Sequence, residues 1–263
     1  MAIAVLLLFA VFFGLPVLWL VLATTKTADQ LVSTNPLSFG SWHALKANWA
    51  ALTRYQDGTV FLWLRNSAVY AFVALAITLV ASIPAGYALA LTDFPGRRVL
   101  LATTLVVMVM PSTTLVVPLF LEINALHLIG SMWSIILPFS FYPFGVYLAY
   151  IYFTTALPRS LLEAARLDGC TEFGAFRRVV LPLATPVIAL VGFFSFVANW
   201  TNYFLPYVLL PQSTQLPIQV GLSYINVRRP ELALATVLAT TPVLVVFVFS
   251  QRFLVRGMLA GAA

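Results

Sequence analysis

The sequence predicts an all-α integral membrane protein with six transmembrane helices, and its composition is the first evidence. Hydrophobic residues make up 62% of the 263 residues and charged residues only 8%. In soluble domains, roughly 45–50% of the residues are hydrophobic and about 25% are charged. A water-soluble surface needs more charge, so a soluble globular fold is excluded. The aromatic content excludes a disordered chain, and a single cysteine, Cys170, excludes a disulfide scaffold.

Six segments are long and apolar enough to cross a bilayer, which takes about 20 residues. A signal peptide is the alternative for the first segment, but that segment lacks a positive leading region and a cleavage site before a soluble domain. We therefore expect one transmembrane domain over residues 1–263, with its core at about 61–256. The six segments are approximately Ile3–Thr24, Ser67–Leu91, Val99–Leu121, Ser134–Thr154, Leu183–Leu209 and Leu232–Leu254.

Proline residues interrupt most of the six segments. Each proline removes a helix hydrogen bond that lipid cannot replace. Ordinary helix kinks explain any single proline, whereas the pattern as a whole is more typical of a transporter than of a rigid anchor. These residues are Pro16, Pro84, Pro111, Pro118, Pro138, Pro143, Pro186, Pro206 and Pro242.

The positive charges favour a topology with both termini in the cytoplasm. An even number of spans puts both ends on one side, and the positive-inside rule then compares the loops. The net charge of +6 is spread between apolar runs without a basic face, so the lipid bilayer is the expected partner and nucleic acid is not. With the termini inside, the inner loops carry Arg97, Arg98, Arg159, Arg166, Arg177, Arg178, Arg252 and Arg256, and the outer loops carry Lys26, Lys46, Arg54, Arg65, Arg228 and Arg229.

The loop between the fourth and fifth segments, 158–182, does not suit a membrane interior. It holds seven of the 22 charged residues. Ser160 is placed to cap a first helix, Gly169 to end it, and Thr171 to cap a second. The loop is thus predicted to form two short helices with a glycine elbow, either resting on the membrane face or docking a soluble partner.

The spacing of small residues in this loop resembles the EAA loop of ABC importer permeases. Glu163-Ala164-Ala165 is followed at the family's spacing by Gly169, Val179 and Leu181-Pro182. Valine stands at position 179 where the family usually has isoleucine. Elsewhere, Ala85–Ala90 resembles the end of the second helix of maltose-type sugar permeases. The chain resembles the MalG-like subunit of a carbohydrate ABC importer, and the resemblance covers nearly the whole chain.

The resemblance implies that the loop couples this chain to a cytoplasmic ATPase dimer. Glu163 would accept a hydrogen bond from the ATPase, Ala164 and Ala165 would allow close approach, and Gly169 would provide the bend. Asp168 would hold the elbow through a local hydrogen bond. The motif's last two residues, Leu181 and Pro182, lead into the fifth span.

The resemblance also implies partners and a location. The partners are a second homologous permease forming a heterodimer, the ATPase, and an external solute-binding protein, in a bacterial or archaeal plasma (inner) membrane. No cofactor is expected on this chain, and ATP and Mg are expected on the ATPase. A P-loop needs Gly-Lys followed by Ser or Thr, and neither Lys26 nor Lys46 follows a glycine. Nor is a metal site expected, since His43 and His127 lack a cysteine or carboxylate at ligand spacing.

The substrate path is expected among polar and aromatic residues inside the spans, because such residues tend to face a cavity or another helix. Helix–helix packing is the alternative for all of them. The best candidates are Asn199, Trp200, Asn202 and Tyr203 in the fifth span. Second choices are Ser140 and Tyr142 in the fourth span, and Ser112, Thr113 and Thr114 beside Pro111.

Three other functions are alternatives to sugar import. An integral membrane enzyme would need a metal cluster or a histidine–acid pair near one face, and a membrane scaffold would not need a loop of this spacing. An importer of glycerol phosphate esters would favour a basic residue at mid-depth in the cavity. The long outer loop, about 25–66, carries Trp42 and Trp49, which predict either an amphipathic element at the interface or a contact with the binding protein.

Overall fold

The computed structural model describes residues 2–111, 113–227 and 229–260, and over these residues every regular element is helical. Ser112 and Arg228 lie outside the described residues. Short 3₁₀ turns occur at Tyr55–Gly58 and Ser213–Gln215, and a π turn at Phe176–Val180. The α-helices are α1 (Ala2–Ala23), α2 (Ala28–Ser33), α3 (Trp42–Arg54), α4 (Thr59–Leu91), α5 (Arg97–Val109), α6 (Val116–Ala125), α7 (Trp133–Ser140), α8 (Pro143–Ala156), α9 (Arg159–Leu167), α10 (Glu172–Ala175), α11 (Leu181–Leu183), α12 (Thr185–Trp200), α13 (Phe204–Leu209), α14 (Ile218–Ser223) and α15 (Glu231–Ala260).

The all-helical membrane architecture is confirmed, but unbroken apolar helices do not account for six spans. Within the described residues, four helical stretches have the length and composition to cross a membrane: Ile3–Ala23, Trp42–Leu91, Trp133–Ala156 and Glu231–Phe253. A fifth is counted if Glu172–Leu183 and Thr185–Trp200, which meet at 75°, form one span.

The remaining predicted segment, Val99–Leu121, is not one helix. It divides into α5 and α6, with Met110 in an extended conformation at the end of α5. Pro111 follows directly, and the residue before a proline is forced away from helical geometry. The break is therefore encoded locally by a proline inside an apolar run.

Two other predicted boundaries also differ from the structure. α4 begins at Thr59, eight residues before the predicted start at Ser67. The predicted segment Leu183–Leu209 forms α12 and α13, which are separated at Thr201–Tyr203. Hydropathy does not detect such a break, because both halves are apolar.

One compact unit comprises Met1–Ser67 with Gln212–Pro242. In it, Lys26 is only 2% exposed, and its Nζ donates to the carbonyl oxygens of Asn35 at 2.6 Å and Pro36 at 3.3 Å. The Asn48 Nδ2 donates to the carbonyl oxygen of Thr24 at 2.8 Å. The start of the long loop is thus packed onto the end of α1 and the buried face of α3. Trp42 and Trp49 are exposed on α3, which is compatible with both predicted roles, an element at the membrane interface and a contact with the binding protein.

The other unit comprises Ala68–Pro211 with Val243–Ala263. Its core joins α4, α8 and α12 through buried residues that include Tyr87, Phe153 and Val187. A Cβ on Gly86 would lie 2.4 Å from the Cβ of Ala149, so α4 and α8 approach as closely as a glycine allows. The same core includes residues of the loop 158–182, which is therefore attached to the helices and not free.

Candidate coupling loop and translocation cavity

Helix α9 of the loop has one face in the core and one exposed face. Leu162 and Ala165 are buried in the cluster that contains Phe153, whereas Glu163 and Ala164 are exposed. The predicted cap at Ser160 is wrong. The helix begins at Arg159 after Pro158, with no side-chain cap, because the fixed φ of proline suits a helix start without one.

The elbow after α9 is a Schellman motif, as the glycine predicted. Gly169 has φ +83°. Its N–H donates to the carbonyl oxygen of Arg166 at 3.0 Å, and the N–H of Cys170 donates to that of Ala165 at 3.0 Å. These two bonds satisfy carbonyls that the helix end leaves unpaired. The Asp168 carboxylate, expected to hold the elbow, is exposed, and the backbone closes the turn.

A second helix follows the elbow, capped as predicted. The Thr171 Oγ1 accepts a hydrogen bond from the N–H of Gly174 at 3.1 Å. The two helices are joined by Arg166, whose Nε donates to Oε1 of Glu172 at 2.7 Å. This hydrogen bond is the main reason that the pKa of the Arg166 guanidinium is raised. Sequence reasoning missed the pair, because two short helices bring together residues that are six positions apart.

The segment Glu172–Leu183 meets α12 at an angle of 75°, and two prolines explain the position of this bend. Pro182 and Pro186 donate no backbone hydrogen bond. The carbonyl of Pro182 accepts the Thr185 hydroxyl instead, at 2.9 Å. The Tyr152 hydroxyl of α8 donates to the carbonyl oxygen of Leu183 at 2.7 Å. Tyr152 therefore anchors the bend from a neighbouring helix, a role that nothing in the sequence indicated.

The exposed side of the loop carries large apolar residues. Leu167 is 89% exposed, Phe173 is 71% exposed and Leu161 is 39% exposed. Exposed apolar groups of this size, next to charges, are typical of a protein or membrane contact. We call Leu161, Glu163, Ala164, Leu167 and Phe173 the loop surface.

Three helix breaks open onto one cavity of about 440 Å³. The breaks separate α5 from α6, α7 from α8, and α12 from α13. They contribute Thr113, Tyr142 and Asn202, respectively, to its lining. Non-helical backbone at membrane depth is tolerated where it is buried in protein or lines a cavity. The structure thus places three breaks in apolar helices around one cavity, which is the candidate path.

Two of the six candidates in the fourth and fifth spans line this cavity, and so does the second-choice residue Thr113. Asn202 lines the cavity, and its Oδ1 accepts a hydrogen bond from the N–H of Leu205 in the first turn of α13 at 3.3 Å. Tyr142 lines it from the α7–α8 break. Their positions are explained by the helix breaks, which hydropathy did not locate.

The other four candidates are engaged in packing or lie outside the cavity. The Asn199 Nδ2 donates to the carbonyl oxygen of Ser195 at 2.8 Å, one turn back. Trp200 is 3% exposed and stacks on Phe196. Ser140 is fully buried, and Tyr203 stacks on Tyr207 with a centroid separation of 5.5 Å.

The remaining cavity lining is aromatic and aliphatic, and none of these residues was predicted from the sequence. It includes Phe139, Phe141, Phe144 and Phe204 together with Met108 and Met110. Among the described lining residues, none is acidic or basic. An electroneutral lining rich in aromatic rings suits an uncharged ligand with apolar faces.

Comparison with known proteins shows the family of the chain. The sequence profile of the family described as binding-protein-dependent transport system inner membrane component matches residues 82–260. The arabinooligosaccharides transport system permease protein AraQ of Bacillus subtilis is 31% identical over 260 residues, covering 94% of this chain and 89% of the relative. The lactose transport system permease protein LacG of Rhizobium radiobacter is 30% identical over 251 residues, covering 93% of this chain and 89% of the relative.

A solved structure shows the same fold. It is the crystal structure of a bacterial ABC transporter involved in the import of the acidic polysaccharide alginate, with a TM-score of 0.82 and 22% identity, covering 95% of this chain and 94% of the other. The family match and the curated relatives confirm the resemblance to ABC importer permeases. This multi-pass membrane chain belongs to the family of binding-protein-dependent transport system inner membrane components.

Proposed function

We propose that this chain is the permease subunit of an ATP-driven importer that takes up neutral saccharides. It forms one half of the path, and a second homologous permease forms the other half. The cavity at the three helix breaks carries this proposal. Aromatic faces stack on the apolar faces of sugar rings, and Asn202 and Tyr142 offer hydrogen bonds to hydroxyl groups. The relatives AraQ and LacG are named as an arabinooligosaccharide and a lactose permease, and they support the same substrate class.

The lining also favours a sugar over a glycerol phosphate ester, the second candidate substrate. A glycerol phosphate ester carries negative charge, and a buried anion needs a cationic or hydrogen-bonding partner. The described lining residues of the cavity include no arginine or lysine. A neutral sugar therefore fits the cavity better than a phosphate ester does.

In the proposed topology the chain has six spans, both termini are cytoplasmic, and α5 and α6 together form the third span. The loop surface then faces the cytoplasm and binds a groove of the ATPase, where Glu163 accepts hydrogen bonds and Ala164 permits close approach. Leu162 and Ala165 anchor α9 to the core that includes α8 and α12. Movement of the ATPase is thereby passed to the helices that line the path, as a shift between two states. ATP and Mg belong to the partner ATPase.

The test is uptake by the complete importer in proteoliposomes. The proteoliposomes contain ATP inside. Outside, they are supplied with the binding protein and, in separate samples, with lactose, arabinobiose or glycerol 3-phosphate. We expect ATP-dependent accumulation of a neutral saccharide. Accumulation of glycerol 3-phosphate alone, or uptake that does not depend on ATP, would refute the proposal.

A further inference from the structure

An open pocket of about 590 Å³ lies between the end of α3 and the segment that precedes α15. Both parts belong to the same compact unit, and the pocket shares no residue with the coupling loop or the path cavity. Its polar lining residues are Arg54, Tyr55, Gln56, Tyr224, Asn226 and Arg229. This set combines two cations, two phenols and two amides.

The pocket has an excess of positive charge. Arg229 donates to Oε1 of Glu231 at 3.0 Å, and Glu231 is only 4% exposed. This bond balances one cation and orients its guanidinium, whose Cζ also lies 5.8 Å from the ring centroid of Tyr55. Arginine has five N–H donors, so Arg229 keeps donors for another acceptor.

The second arginine of the pocket has no carboxylate partner among the described residues. Arg54 is exposed at the end of α3. Asp57, three positions later, is exposed and is not among the residues that line the pocket. The pocket therefore offers an uncompensated guanidinium beside one that is already oriented.

The backbone beside Arg54 is held in an uncommon conformation. Gln56, Asp57 and Gly58 have φ values of +43°, +56° and +82°. Residues other than glycine rarely adopt this region, and such strain is concentrated at functional sites. The Thr59 hydroxyl donates to the carbonyl oxygen of Gln56, which fixes the turn. The pocket wall is thus formed before any partner arrives, which lowers the entropic cost of binding.

The openness of the pocket favours a protein as its occupant. Small-ligand sites enclose most of the ligand surface, whereas here Tyr224 is 57% exposed and the neighbouring Val227 is 82% exposed. Tyrosine and arginine are enriched among the residues that dominate protein interfaces. In the proposed topology both segments lie outside the cell, where the family's binding protein acts.

We propose that this pocket receives a carboxylate side chain of the external solute-binding protein, held between Arg54 and Arg229. The inference rests on the proposed function and adds the anchoring residues and the chemistry of the partner. Charge complementarity of this kind steers association and fixes the docking position. The occupant is thus an acidic patch on the docked binding protein.

The experiment measures binding of the purified solute-binding protein encoded beside this permease to the importer in nanodiscs. Arg54→Glu is expected to raise Kd by about tenfold or more, equivalent to about 1.4 kcal/mol. Lys46→Glu is the matched control, because Lys46 is exposed on the same helix but does not line the pocket. It is expected to change Kd by less than about twofold, as surface charges usually do. Arg54→Gln is expected to give a smaller loss and a weaker dependence of Kd on salt.

Several outcomes would overturn the inference. Equal effects of Arg54→Glu and Lys46→Glu would show a general charge effect without a pocket. A loss that occurs only in nanodiscs containing phosphatidylglycerol would identify a lipid headgroup as the occupant. The basal ATPase activity and the melting temperature of each variant must match those of the wild type. If both Arg54 variants lose affinity only to the extent that they lose folded protein, this would also count against the inference. If the wild-type importer does not bind the protein at all, the proposed function itself fails.

Discussion

Replacing Gly169 tests the elbow of the coupling loop through its backbone conformation alone. The residue has φ +83°, and a Cβ added there would meet no atom within 4 Å. A substitution therefore does not clash with a neighbour, and its cost comes from the left-handed conformation. This makes the effect calculable from one residue.

The magnitude follows from that conformation. A residue with a Cβ costs roughly 1–2 kcal/mol in the left-handed region. Asparagine tolerates this region better than other non-glycine residues, and β-branched valine tolerates it worst. A cost of roughly 1–2 kcal/mol lowers the population of the formed elbow, relative to the open turn, by about 5- to 30-fold. The two hydrogen bonds from Gly169 and Cys170 to the end of α9 are lost with it.

The assay is saccharide imported per ATP hydrolysed by the complete importer in proteoliposomes. We expect the saccharide imported per ATP to decrease from wild-type Gly169 to Gly169→Asn, then to Gly169→Ala and then to Gly169→Val. The ATPase activity is expected to fall much less than uptake. Asparagine is larger than alanine, so this order separates conformation from size. Equal coupling in the asparagine and valine variants, or wild-type coupling in the valine variant, would refute the reasoning.

Three further predictions concern the loop surface, the bend and the cavity. Glu163→Lys is expected to reduce uptake per ATP by about tenfold, within the usual 5–150-fold range of coupling between sites, because it places a cation where an acceptor faces the ATPase. Tyr152→Phe removes the hydrogen bond at the 75° bend and is expected to destabilise the fold by about 0.5–1.5 kcal/mol, measured by thermal unfolding in detergent. Asn202→Ala, which removes an amide from the cavity, is expected to lower the apparent affinity for saccharide by about 0.5–1.5 kcal/mol, whereas Asn199→Ala is expected to leave uptake near wild type.

Each of these predictions has a control or a contradicting outcome. Asp29→Lys makes the same charge change as Glu163→Lys at an exposed acid on α2, and equal uncoupling by both would exclude a specific role for the loop. Tyr147→Phe changes another tyrosine of α8 and is expected to leave stability unchanged. If Asn199→Ala reduces uptake as much as Asn202→Ala at equal expression, the cavity is not the path.

The local structure of the coupling loop was predictable, because its signals act over a few residues. Thr171 caps the helix that begins at Glu172 by accepting from the N–H three residues ahead. Gly169 adopts the left-handed conformation that other residues avoid. Pro158 is the exception, since a proline at the helix start made the hydroxyl cap at Ser160 unnecessary. The packing of Leu162 into the core also follows from its position on the apolar face of α9.

The substrate-path residues were harder to predict, for a physical reason. In a membrane both the lipid-facing and the protein-facing sides of a helix are apolar, so periodicity does not reveal which side faces a cavity. Asn199 and Asn202 look equivalent in the sequence, but one bonds within its helix and the other lies at a break. The position of a break depends on how helices pack, as Tyr152 at the bend illustrates. Lys26 shows the same limit: it is a loop cation by sequence but is buried against backbone carbonyls.

The most direct test of the account is cross-linking of the loop surface to the ATPase. Leu167→Cys, placed at a highly exposed position of α9 in a chain with Cys170→Ala, is combined with cysteines along the predicted groove of the ATPase subunit. The account predicts a disulfide-linked pair of subunits whose yield changes when ATP is added. Absence of this product, together with labelling of Leu167→Cys by a membrane-impermeant thiol reagent added outside, would contradict it.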